Sequence, residues 1–341
     1  MRGFCGSWKE WTELRGHQSM SSLRISVAMC TYNGSRYLQE QLKSIASQTR
    51  PPDELVICDD GSADDTVSVL TAFAAKALFP VRVFWNVERL GPAKNFERAI
   101  GLCTGDVVIL ADQDDLWNPQ KVVKLLEAFE LHPDAVYAFS DAEMVDQEGA
   151  PLGEKLWDAI AFRQKLGRFS GPGQLEILLK QNLVTGAAMA VRASFKEVIF
   201  PIPSGWMHDY WIVLLGSALG YGVPIPEALF RYRRHATQVC GWRKKTFLQV
   251  SKTSLAAGQE DSWRKVDHFQ KLQERVKSGR SSTQCPPERL RLLEQKEIHL
   301  LKRARTRSST GLSRIVKVLG EAATGRYQRY SNSWYSIVRD L

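Results

Sequence analysis

The chain has 341 residues, 44% hydrophobic and 24% charged, enough to bury a full core in one large domain or two modest ones. Those values exclude a disordered or fibrous chain, and no run approaches the roughly 18 apolar residues of a membrane span. The net charge of +9 is unevenly placed: Gly241–Leu341 holds 22 Lys+Arg against 9 Asp+Glu, whereas residues 1–240 hold 24 against 28. A slightly acidic front therefore precedes a strongly basic back, which favours anionic partners such as lipid headgroups, phosphorylated acceptors or nucleic acid.

Residues 1–22 lack both an apolar core of the signal-peptide kind and any clear period, and read as a disordered extension, with Met20 an alternative start. Strand and helix then alternate. Arg24–Cys30, Glu54–Asp59, Val81–Trp85, Val107–Ala111 and Ala135–Ser140 read as strands; Tyr37–Gln48, Asp65–Leu78, Lys94–Leu102 and Gln120–Leu131 read as helices. Short connections between them predict an α/β sandwich with a mainly parallel central sheet covered on both faces. Right-handed crossovers place ligand loops beyond the C-terminal strand ends. After Asp141 the pattern loosens: Thr185–Val191 reads as a strand, Tyr210–Leu219 as a helix and Leu229–Arg233 as a last short strand. A domain of residues 23–245 and a basic, mostly helical region of residues 246–341 follow, the latter interrupted by GRSSTQCPP (Gly279–Pro287). The six cysteines (Cys5, Cys30, Cys58, Cys103, Cys240, Cys285) form no CxxC, which predicts free thiols and a cytosolic compartment.

The chemistry concentrates at strand ends. VVILADQDDLW (Val107–Trp117) runs from an apolar strand into Asp112, Asp114 and Asp115. Alternation along an extended chain puts Asp112 and Asp114 on one face. Two carboxylates about 4 Å apart repel by about 4 kcal/mol at an effective dielectric near 20. A hard divalent cation, Mg²⁺ or Mn²⁺, removes that cost and completes its shell with phosphate oxygens and water. The alternative is an acidic loop that caps the next helix. CTYNG (Cys30–Gly34) follows the first strand and CDDGSADDT (Cys58–Thr66) the second, with Gly61 for a tight turn and Ser62-x-x-Asp65 opening a helix.

The run from SVAMCTYNG through CDDGSADDT to LGPAKNFERAIGLCTGDVVILADQDDLW resembles the inverting family 2 glycosyltransferases of the GT-A fold, over about Arg24–Gly241. The ADQDDLW form is most similar to rhamnosyltransferase-type members that build bacterial polysaccharides. The resemblance implies a nucleotide-diphospho-sugar donor, dTDP-rhamnose ahead of UDP-sugars, lying across the strand ends. It assigns Thr31, Tyr32 and Asn33 to the base and ribose pocket, Asp60 to the pyrimidine with Asp59 assisting, and Lys94 and Asn95 to the nucleotide. Gln113, between the paired acids, joins the donor site. Asp114 is the metal ligand, with Asp112 as a second ligand or a contact to ribose or sugar.

MHDYW (Met207–Trp211) matches the acidic acceptor-side motif of the family, with His208 where Glu is usual. Asp209 is then the base, or else a plain helix cap. FRYRRHATQVCG (Phe230–Gly241) resembles the end of the catalytic domain: His235 is a candidate third metal ligand, and Arg233 and Arg234 either steady the diphosphate or are solvated. Gly186 leaves room for donor sugar or acceptor, and Trp206, His208 and Trp211 are acceptor-side candidates.

The expected acceptor is a saccharide or lipid-linked saccharide at the cytosolic membrane face, the basic region adhering weakly to anionic lipid and no nucleic acid bound. A processive synthase is disfavoured, because neither membrane helices nor QxxRW is present. A sugar nucleotidyltransferase would want a glycine-rich basic loop where CTYNG stands. A non-catalytic saccharide- or nucleotide-binding module of the same fold is the third reading.

Overall fold

Apolar runs at the front of the chain form a parallel sheet because both of their faces are covered. The computed structural model describes residues 23–236, 238, 259–278 and 284–341. Strands β1 (Ile25–Thr31), β2 (Glu54–Asp59), β3 (Val81–Trp85) and β4 (Val107–Ala111) pair in parallel, in the order β3-β2-β1-β4. Helices α1 (Ser35–Ala46), α2 (Thr66–Ala74) and α3 (Pro92–Leu102) form the crossovers. The register sets Thr31 opposite Asp59, Asp59 opposite Trp85 and Met29 opposite Ala111, so the C-terminal ends of all four strands align. That alignment gathers the polar loops into one rim.

The second half of the sheet is mixed. Beyond β4 come β8 (Met189–Arg192), β6 (Tyr137–Val145), β9 (Gly222–Arg233) and the two-residue β5 (Leu116–Trp117), with β7 (Pro151–Lys155) paired to β6. Strands β8, β5 and β7 run against their neighbours, while β6 and β9 are parallel to each other and keep the direction of β1–β4. Among the described residues the sheet is thus mainly parallel by direction, as expected, with three strands reversed.

Several boundaries differ from the sequence reading. Thr185–Val191 is not one strand: a 3-10 turn over Gly186–Ala188 precedes β8. Leu229–Arg233 is the end of a 12-residue strand held along β6. Helix α8 (His208–Leu219) starts two residues earlier than read, which puts Asp209 inside its first turn and leaves Met207 as the cap. Helices α4 (Lys121–Leu131), α5 (Leu156–Ala159), α6 (Pro172–Lys180) and α7 (Lys196–Ile199) complete the front.

Behind them, α9 (Gln259–Lys277) and α10 (Pro287–Arg307) pack against each other and onto α8 and α6. Their buried Phe269, Leu272, Leu293 and Leu300 join the same apolar cluster as the sheet. Three short helices follow: α11 (Gly311–Ala323), α12 (Arg326–Tyr330) and α13 (Ser333–Asp340). Among the described cysteines Cys30, Cys58, Cys103 and Cys285 are free, and burial pushes the Cys58 thiol up to about 11 and Cys103 to about 12. They therefore act as small apolar side chains. The predicted extension at residues 1–22, the Met20 alternative and the boundary near residue 245 lie outside the described residues.

Candidate active site

The loops at the aligned strand ends hold one another. Gln113 hydrogen-bonds both sides of Tyr32: its Oε1 accepts from Tyr32 N at 2.8 Å and its Nε2 donates to Tyr32 O at 3.1 Å. A Cβ at Gly34 would lie 2.2 Å from Gln113 Oε1, so only glycine permits this clasp. Asn33 takes a left-handed backbone (φ 47°), its amide donating to Ser62 Oγ and its Oδ1 accepting from Ala63 N, both at 2.8 Å. Thr31 Oγ1 donates to Asp59 Oδ2 at 2.7 Å, and Asp59 also accepts from Ser62 N at 2.9 Å and Ser62 Oγ at 2.6 Å.

Asp60 is occupied likewise. It accepts from Asn86 Nδ2 and Leu90 N at 2.7 Å and from Gly91 N at 2.8 Å, which anchors the loop between β3 and α3. Asn95 is buried and pins α3 to β2 through Cys58 O at 2.8 Å. Lys94 pairs with Glu97 at 2.8 Å on the outside of α3. Seven of the donor-side candidates (Thr31, Tyr32, Asn33, Asp59, Asp60, Asn95, Gln113) thus build the frame of the rim. The sequence reading missed Arg89, whose guanidinium lies 3.9 Å over the Tyr32 ring at the mouth. A lone cation in NVERLGP was the available signal.

β4 ends at Ala111, so a loop rather than strand alternation presents the acids. Gln41 Nε2 donates to Asp112 O at 2.9 Å, and Arg233 Nε to Asp114 O at 2.9 Å. Burial, then the charges of Asp114 and Asp209, push the Asp112 carboxyl up to about 7, with Lys121 opposing. Asp114 Oδ2 meets His235 Nε2 at 2.7 Å. Asp115 is buried; its Oδ1 accepts from Arg233 N at 3.1 Å and its Oδ2 has no hydrogen-bond partner.

Arg233, read as a diphosphate contact or a solvated side chain, is neither. It is buried, spans Asp114 O, Gln147 O and Glu40 Oε2, and lies 4.6 Å over the Tyr37 ring. The reason is geometric: its position in β9 points into the base of the acid loop.

Lys121 was also missed. Its ammonium is buried between Trp117 and Phe230, at 4.2 and 4.4 Å from their rings, and donates to Ala187 O at 2.6 Å. Burial brings its pKa down to about 7, against the charges of Asp115 and Asp112. It ties the acid loop to the Gly186–Ala188 turn. Lys121→Met is expected to leave Ala187 O unsatisfied and to lower unfolding free energy by about 1–3 kcal/mol, measured by urea denaturation.

That turn positions Asp209. Tyr210 N donates to Asp209 Oδ1 at 2.6 Å, and the nearby Asn182 side chain and Gly186 N–H favour the ionised carboxylate. Asn182 was not read from the sequence, because 27 residues and a turn separate it from its partner. Burial, only partly offset by these hydrogen bonds, raises the Asp209 pKa to about 6. The charge of Asp209 is felt at Asp112, so the two carboxylates lie within electrostatic reach of each other. A base must be ionised to accept a proton, so kcat should fall as pH drops through about 6 and level off above it. A pH–rate profile from 5 to 8 checks this; a flat profile contradicts it.

The acceptor-side candidates are mainly packing. His208 is buried, stacks on Phe96 at 4.0 Å and is held neutral by burial, with a pKa of about 3. A Cβ at Gly186 would lie 2.6 Å from His208 Nε2, so Gly186 makes room for that ring. Trp211 is fully buried with Nε1 donating to Ile199 O at 2.8 Å, and Trp206 packs on Tyr210, Trp211 and His268.

The donor set fits a divalent cation. Asp112 and Asp114 offer hard oxygens that repel each other when empty-handed of a counter-charge, and His235 Nε2 converges on Asp114. Among the described residues no set of three His, Cys, Asp or Glu is arranged to hold a metal by itself. An ion with open positions for phosphate and water suits this arrangement.

The chain resembles known proteins over this region. It is 29% identical over 224 residues to an uncharacterized glycosyltransferase of Nostoc sp., covering 62% of this chain and 65% of that protein, just under two thirds of its length. It is 28% identical over 222 residues to the dTDP-rhamnosyl transferase RfbG of Shigella flexneri, covering 62% of this chain and 73% of RfbG. Among solved structures it superposes on the mannosyltransferase PcManGT of Pyrobaculum calidifontis, in complex with GDP-Man and Mn²⁺, with a TM-score of 0.56 at 17% identity, covering 97% of this chain and 90% of that one. The fold is GT-A. The family model described as "Glycosyl transferase family 2" matches residues 26–198, half of the chain, and the chain belongs to that family.

Proposed function

We propose that the protein is a metal-dependent, inverting glycosyltransferase that moves a sugar from a nucleotide diphosphate to a saccharide or lipid-linked acceptor in cell-surface polysaccharide synthesis. What supports this reading is that Asp209 on α8 lies near enough to Asp112 of the acid loop for its charge to raise the Asp112 pKa. Asp209 takes the proton of the acceptor hydroxyl while that oxygen bonds the anomeric carbon. The bond to the nucleotide diphosphate breaks on the opposite face, which inverts the configuration. Asn182 and Gly186 N–H aim the carboxylate, and Lys121 holds their turn to the acid loop. Asp114, Asp112 and His235 would hold Mg²⁺ or Mn²⁺, which when bound offsets the charge of the departing diphosphate.

Tyr32 and Arg89 offer a ring and a cation at the mouth for the nucleoside, and the remaining donor-side residues keep that pocket in shape. Similarity to RfbG and the ADQDDLW form support dTDP-rhamnose as donor, with UDP-sugars next. The cytosolic membrane face is the proposed place of work, approached through the basic C-terminal region. Among the described residues no helix is long and apolar enough to cross a membrane. A donor screen over dTDP-rhamnose, UDP-sugars and GDP-mannose, reading nucleotide diphosphate release with Mn²⁺, Mg²⁺ or EDTA, tests the reading. Release from dTDP-rhamnose that requires metal is expected. No binding or release with any donor overturns it.

A further inference from the structure

The C-terminal helices expose an apolar face that the sugar-transfer reading does not use. On α11, Leu312, Ile315, Val316 and Leu319 stand at i, i+3, i+4 and i+7, with exposures of 81%, 47%, 61% and 59%. On and after α13, Trp334, Val338 and Leu341 are at least half exposed, and the Trp334 ring stacks on Tyr335 at 3.8 Å. The two helices pack on each other. Single exposed apolar residues are ordinary, but a helical stripe with further exposed apolar residues on the helix packed against it marks a surface that something covers.

The charges around it say what. Residues 301–341, all described, carry nine Lys and Arg but only two acidic side chains, Glu321 and Asp340. Both are buried in ion pairs: Glu321 with Arg326 and Lys302, Asp340 with Arg303 and Arg307. Lys302, Arg305, Lys317 and Arg329 are exposed, although Lys302 also pairs with Glu321 and Arg329 with Glu176, so residues 301–341 present cations to solvent and no exposed acidic side chain of their own. A second copy meeting this face would bring two cationic rims together. An anionic bilayer matches both parts: acyl chains take the stripe, headgroups take the rim, and Trp334 and Tyr335 suit the boundary between them.

We infer that α11 and α13 form a docking face that lies in the plane of an anionic membrane and buries its apolar stripe there. This goes beyond the adhesion by charge proposed above, and it stands whether or not the donor is correctly named. The test is sedimentation of the full chain with vesicles of phosphatidylcholine holding about 30 mol% phosphatidylglycerol, and with phosphatidylcholine alone. Binding to the anionic vesicles is expected, weakened but not abolished in about 0.5 M NaCl. Replacing Leu312, Ile315, Val316 and Leu319 together by Ser should lower the partition coefficient at least about tenfold, with circular dichroism and melting temperature unchanged. Should that variant unfold, the single change Val316→Asp, at an exposed site, is read instead and should reduce binding in the same direction. Undiminished binding of the variants overturns the inference. So does complete release of the wild type by salt, or a wild-type dimer that binds no vesicles and becomes monomeric in the variants.

Discussion

Asp209→Asn is expected to lower kcat by about 10²–10⁴-fold while donor affinity stays near that of the wild type. The amide has the shape of the carboxylate, and its Oδ1 can still accept from Tyr210 N. What disappears is the group that takes the proton from the attacking hydroxyl. Calorimetric donor titration beside nucleotide diphosphate release separates the two quantities. A residue serving only the helix terminus would instead change stability by about 0.5–2 kcal/mol and leave turnover alone. Equal kcat in variant and wild type would remove Asp209 from the chemistry and favour a binding module.

Asp114→Asn should act on the other wall of the cleft. Asp114 is the acid that meets His235, and its backbone carbonyl is fixed by Arg233, so the side chain is aimed before any ion arrives. Removing its charge should weaken metal-supported donor binding by at least about 10–100-fold, the range seen when even an outer partner of a metal ligand is lost. In EDTA the variant and wild type should bind the donor equally. A difference that persists in EDTA would mean that Asp114 acts on the loop or on the donor directly, without a cation.

Much of the fold is legible in the sequence because the inner parallel strands, buried on both faces, read as apolar runs, and the half-exposed edge strand β3 as a short stretch rich in valine and aromatic residues. Glu54–Asp59, Val81–Trp85 and Val107–Ala111 are observed with the boundaries read from sequence. The second half is harder, since its elements depend on partners far along the chain. β5 is two residues long and exists because β9 lies beside it. The turn at Gly186–Ala188 is set by Lys121 and Asp209 rather than by local preference.

Within the site, the sequence located the acids but not their partners. Asp60 is held by atoms 26 to 31 residues away, and Asp114 by His235 at a separation of 121. Two signals were present and unused. Lys121 falls on the buried stripe of α4 with Leu125 and Ala128, an odd place for a cation. The spacing of Leu312, Ile315, Val316 and Leu319 likewise describes an amphipathic helix inside a region read as basic and mostly helical, without its apolar faces.

A crystal of the full chain grown with dTDP and Mn²⁺, and examined for the anomalous signal of manganese, addresses the central claim most directly. The expected peak lies about 2.1 Å from a carboxylate oxygen of Asp114 and touches the diphosphate, with Asp209 looking into the same cleft from α8. Manganese bound away from the acid loop, or a nucleotide seated where Asp209 does not face it, would contradict the account.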